Sequence, residues 1–199
     1  MGFLSNEYED RQLKIGQTIN TLNQGSFTVI SKNADNLFMI KFNNTGTIAG
    51  PYTEHECRVC HVIDPYAIRI LGVASIGNVD LQLLTFKNKI YRVWYDMIDR
   101  CYNPKNNRYM NYGGNNVTVC NRWLCFEFFM KDIDKIPGYY NWIIAGPREY
   151  HLDKDYKQLN QTHKVYSLET CIFLPAYMNE QEMLLRRKIK RQMCHIIKD

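Results

Sequence analysis

The segment YRVWYDMIDRCY sets Tyr91, Trp94, Tyr95, Ile98 and Tyr102 at spacings of three and four residues. That period matches an α-helix with one apolar face, and such a face must be covered by other elements of a packed core. The helix is expected to stop at NPKNN, where Pro104 and the asparagines favour a turn. A core is within reach, because 45% of the 199 residues are hydrophobic and 13% are aromatic, which excludes a generally disordered chain. The length fits one large domain or two small ones.

The first quarter has a different texture. SFTVISKN and NLFMIKFNNTG are short β-rich runs bounded by the turn-forming NQG, NADN and NNTG. They predict a hairpin or small twisted sheet between about Gly16 and Gly50, closed as a small barrel or docked on the segment C-terminal to it. GVASIGNVD reads as a weaker link. Further on, NYGGNNVTVC is a glycine turn entering a short strand. NRWLCFEFFMKDI predicts a second aromatic helix with Asn121 as its cap and Pro137-Gly138 beyond its end. From Ala176 onward the composition is helix-forming. The expected fold class is α+β, with a β-rich region over 1–80, a second module over 81–180 and a basic C-terminal helix over 181–199.

Charge and cysteine content narrow the setting. With 25 basic and 20 acidic residues the net charge is +5, compatible with a polyanionic partner. No apolar run approaches the roughly 20 residues of a membrane span, and MGFLSNEYEDRQLK lacks the apolar stretch of a signal peptide. Seven cysteines without framework spacing suit a reducing cytoplasm. Cys57 and Cys60, flanked by His55 and His61, would need a second ligand pair to make a zinc knuckle, so core cysteines are the reading preferred over structural Zn2+. Trp94, Trp123, Phe126, Phe128 and Phe129 have helical spacing and are read as core rather than as base-stacking platforms.

The run RCYNPKNNRYMNYGGNNVTVCNRWLCFEFF, followed by HLDKD and KVYSLETCIFLP, resembles the cassette of phage-encoded HNH (ββα-metal) homing-type endonucleases. The resemblance covers residues 91–180, about half the chain. It implies two antiparallel strands and a helix holding one divalent cation, Mg2+ or Mn2+, against a scissile phosphodiester of DNA. The cation would offset charge on the phosphate while a base activates water.

Carried over by position, Asp153 takes the place of the metal-binding Asp, Lys154 that of the catalytic His and Thr170 that of the helical Asn or His. Leu168 stands where the turn has proline. Lysine is no ordinary neutral base, so His151 or His163 is the expected substitute. Strand alternation would put His151, Asp153 and Asp155 on one face, with Asp155 adding a second carboxylate. Lys154 would then stabilise developing charge. Candidate phosphate contacts are Arg100, Lys105 and Arg108, together with Arg186, Arg187, Lys188, Lys190 and Arg191 in the tail.

The leading expectation is a cytoplasmic, phage-type, metal-dependent DNA endonuclease that cuts or nicks, acting alone or as a homodimer. Two alternatives stay open. One is a catalytically degenerate nucleic-acid-binding protein on the same scaffold, with a regulatory or anti-host role. The other is a protein-binding inhibitor or a structural phage protein.

Overall fold

The structure, a computed structural model, describes residues 12–22, 25–85, 88–159 and 161–178. It is α+β and divides into two compact units between Ile68 and Arg69. The basic run from Arg186 to Arg191 lies outside the described residues. Among the described residues, no helix is long and apolar enough to cross a membrane.

The first unit is built on an antiparallel sheet of four strands in sequential order: β1 (Thr18–Asn20), β2 (Ser26–Lys32), β3 (Phe38–Phe42) and β4 (Ile48–Tyr52). The two β-rich runs of the sequence are β2 and β3, joined by a turn in which Asn33 Oδ1 accepts from the backbone of Asp35 and Leu37. Alternation sends Phe27, Val29, Phe38, Ile40 and Phe42 inward. The short helix α1 (Glu54–Arg58) contributes Cys57 to the same core. Thr53 and Glu56 form a reciprocal capping box at its start. The sheet therefore packs on a helix turn rather than closing as a barrel.

The second unit contains α2 (Lys89–Tyr102), β5 (Thr118–Val119), α3 (Phe126–Asp132), α4 (Tyr139–Ala145), β6 (Tyr150–Asp153), β7 (Val165–Tyr166) and β8 (Ile172–Pro175). Helix α2 is the one predicted from periodicity, and Asn88 caps its first turn through Oδ1. Tyr91, Trp94, Met97, Ile98 and Cys101 form its buried face. Trp123, Phe126 and Phe129 meet it in the core, and the Trp94 indole N–H donates to Trp123 O at 2.7 Å. Phe128 lies nearer the surface, beneath Arg122 and Lys131.

The second aromatic helix departs from expectation. Residues Asn121–Leu124 form a 3₁₀ turn, Cys125 is extended at φ −110° and ψ 124°, and α3 begins only at Phe126. The cause is the segment read as a weak link. Ser75 N donates to Leu124 O, while Ser75 O and Ile76 O accept from Phe126 N and Glu127 N. Backbone carbonyls thus satisfy first-turn donors of α3, and Asn121 makes no side-chain cap.

β6 pairs antiparallel with β8, with Asp153 opposite Ile172. β5 pairs parallel with β7. The turn after Tyr166 leads into β8, not directly into a helix as the resemblance implies, and helical structure begins at Ala176. Gly138 lets α4 approach β8 closely, since a Cβ there would sit 2.3 Å from Phe173 O.

Candidate nucleic-acid interface

Four fragments of the cassette converge on one cluster. Lys154, just past the end of β6, is 4% exposed. Its ammonium lies 4.7 Å from the centre of the Tyr112 ring and 5.4 Å from that of Tyr166. On the same Tyr112 ring lies the Arg100 guanidinium, 4.9 Å from its centre. Lys154 Nζ donates to Asp155 Oδ2 at 2.9 Å, and Lys164 Nζ donates to the other oxygen of that carboxylate. Burial pushes the Asp155 carboxyl upward, but the two ammonium groups outweigh it and hold it below the usual carboxylate range. Burial holds the Tyr166 phenol well above its ordinary value, so it stays neutral.

The surrounding backbone is closely tied. Asp153 ends β6 by accepting Tyr156 N at 2.7 Å. Gln158, itself buried, donates through Nε2 to Lys154 O at 2.8 Å and Val165 O at 2.9 Å, and its Oε1 accepts Val165 N. Lys157 donates to Glu169 O and Cys171 O. Thr170 Oγ1 donates to Val165 O at 2.6 Å and accepts Ser167 N at 3.0 Å.

These positions correct several expectations. Asp155 is not on β6, which ends at Asp153, so it does not continue a face with His151. His151 is exposed while Asp153 is buried, and His163 lies exposed before β7. The structure does not gather His151, Asp153 and His163 into one pocket. Thr170 is committed to its own turn, donating to Val165 O and accepting Ser167 N. Among the described residues, no three His, Cys, Asp or Glu side chains are placed to hold a metal ion. Asp155, the carboxylate beside the expected site, already carries two ammonium groups. The donor set in hand does not fit a divalent cation, because the charge it would supply is already present as Lys154 and Lys164. In the first unit Cys57 is wholly buried with its thiol pushed up to about 11, and His55 and His61 face solvent. That arrangement does not make a zinc site.

The basic loop after α2 is different. Asp99 accepts Asn103 Nδ2 at 2.6 Å on one carboxylate oxygen and Asn106 Nδ2 on the other. Those asparagines in turn accept Lys105 N at 3.0 Å and Arg108 N at 2.8 Å. One carboxylate therefore fixes the loop and leaves the Lys105 and Arg108 side chains exposed. Arg100, by contrast, donates from Nε to Asp96 O of its own helix and stacks on Tyr112, so it is part of the frame rather than a phosphate contact.

Sequence reading missed two polar centres. Asp99 is one, since an Asp inside a helix gives no sign that it organises the next loop. The other is Asp132, 3% exposed, which accepts Arg122 Nε at 2.6 Å, Arg122 Nη2 at 3.1 Å, the Trp123 indole N–H at 3.1 Å and Lys135 Nζ at 3.2 Å. Hydrogen bonding from Arg122 is the main reason its carboxyl falls to about 2. Arg122, Asp132, Cys120 and Glu169 line a cleft of about 400 Å³. Arg122 is already paired there. Compared with known proteins, the chain matches no family model, no curated protein and no solved structure.

Proposed function

We propose that this chain is a nucleic-acid-binding protein on an HNH-like scaffold, with DNA as its partner and without the metal-dependent cleavage chemistry of that scaffold. The observation that carries this reading is Lys154. At the position of the catalytic base stands a buried ammonium, held by Asp155 and two tyrosine rings. A lysine so enclosed, 4% exposed and tied to Asp155, does not reach a phosphodiester. The strand pair β6–β8 followed by the start of a helix at Ala176 supports the scaffold reading. The Asp99-anchored loop supports the partner: two cations on a pre-formed backbone can neutralise two phosphates with little ordering cost.

Gel shift over a salt series, with wild type and the Lys105→Ala and Arg108→Ala variants, tests binding. Incubation of supercoiled plasmid with Mg2+ or Mn2+ tests chemistry. Salt-dependent retardation without nicking is the expected outcome. Nicking by wild type that disappears in His151→Ala or Asp153→Ala would restore the endonuclease reading.

A further inference from the structure

The sheet of the first unit buries one face and leaves the other to solvent. Register lines up the outward residues in rows: Thr18 opposite Thr28, Thr28 opposite Lys41, and Lys41 opposite Ile48. Beside them, Asn20 stands opposite Ser26, and Asn43 N donates to Ser26 O. The side chains of the two rows are linked. The Thr18 and Thr28 hydroxyls are 3.0 Å apart, Thr28 Oγ1 donates to Asn43 Oδ1 at 3.1 Å, and Asn43 Nδ2 donates to Ser26 Oγ at 2.8 Å.

The outer face of the four strands carries a cation and no carboxylate, although exposed Asp35 lies in the β2–β3 turn. Lys41 is exposed, and its ammonium has no hydrogen-bond or ion-pair partner among the described residues. None of the four strands carries a carboxylate. Glu54 and Glu56 belong to α1, which joins the buried side of the sheet through Cys57. Asp64 is buried and accepts Thr45 Oγ1 at 2.6 Å. Ile48, directly across from Lys41, is 59% exposed.

We propose that this outer face reads base edges of duplex DNA in the major groove. The groove is about 12 Å wide and admits a two-stranded β-ribbon such as the antiparallel pair β2–β3. Amides there pair with adenine, ammonium groups with guanine, and aliphatic groups contact the thymine methyl. Asn43, Lys41 and Ile48 present those three chemistries side by side. Mutual hydrogen bonds hold the hydroxyls and the amide in place, so little side-chain freedom is lost on contact. The proposal rests on the chain being a DNA-binding protein, but assigns the choice of sequence to a different unit from the loop that meets phosphates.

The test uses the full chain. Duplexes are selected from a randomised pool, and affinities for the enriched and a scrambled duplex are compared for wild type, Asn43→Leu and Lys41→Met. Asn43→Leu is expected to lower the ratio of the two affinities about tenfold, with binding to the scrambled duplex changed by less than about twofold. Lys41→Met is expected to lower the ratio and weaken binding to both duplexes. Circular dichroism checks that the exposed substitutions leave the fold intact. Enrichment of no sequence, or unchanged ratios in both variants, overturns the proposal. If Lys105→Ala weakens binding while the ratios stay fixed, only this inference falls. If no duplex binds at all, the DNA-binding reading falls with it.

Discussion

Lys154 and Tyr112 meet face to cation, the ammonium 4.7 Å from the ring centre, and this contact joins the LDKD strand end to the YGG turn. Because Lys154 is buried with a carboxylate on one side and aromatic rings on others, removing its charge leaves Asp155 with Lys164 alone. Lys154→Ala is expected to destabilise the fold by about 3 kcal/mol. Lys154→Met keeps the packed stem and costs less. Urea midpoints of the two variants check the order, and equal losses would show that charge, not packing, dominates.

Salt dependence separates framing residues from contacting ones. Lys105→Ala and Arg108→Ala should each flatten the slope of log affinity against log salt by about 0.9 on duplex DNA. Asn106→Ala removes a tie to Asp99 and the acceptor for Arg108 N, yet no charge. It should weaken binding roughly threefold with the slope unchanged, the mark of lost pre-organisation.

Acid stability should be governed in part by Asp132. Its carboxyl is held at about 2 against an ordinary 3.8, so its contribution is fully present above about pH 4 and is lost as pH falls toward 2. The shift corresponds to about 2 kcal/mol. Asp132→Asn should be less stable than wild type at pH 7, and the gap should narrow by about that amount at pH 2. Denaturant unfolding at both values decides it. A gap that stays constant would mean that the Arg122 pairing carries no net stability.

Gly113 is fixed by close approach rather than by dihedral freedom. A Cβ there would lie 2.0 Å from Cys101 O of helix α2. Gly113→Ala must displace backbone and should cost more than 2 kcal/mol, roughly the strained end of such substitutions. Gly114→Ala, whose nearest neighbour is the flexible Met110 sulfur at 3.2 Å, should cost less. Thermal melts of the pair test the difference.

Much of the scaffold was legible because its signals are local. Helix α2 comes from a side-chain period of 3.6, strands β2 and β3 from β-rich runs between turn signals, and β6 from the position of HLDKD in the cassette resemblance. The features that escaped depend on distant partners. The split at Cys125 is imposed by the backbone of Ser75 and Ile76, which no window around residues 121–132 contains. The role of Lys154 depends on Tyr112 and Tyr166, and that of Asp155 on Lys164. A Lys between two Asp residues looks solvated in sequence and is core in three dimensions. Alternation also misled at Asp155, because Asp153 turns back to bind Tyr156 N and ends the strand two residues early.

The Gln158 side chain substitutes for a rung of sheet between Lys154 and Val165. One amide closes the base of the 159–164 excursion, so the segment's length and content are uncoupled from the register of β6, β7 and β8. Nature or an engineer can lengthen the tip at little energetic penalty, since loop-closure entropy grows only logarithmically. The same uncoupling makes Gln158 the place where a single substitution would unfasten Val165 from Lys154.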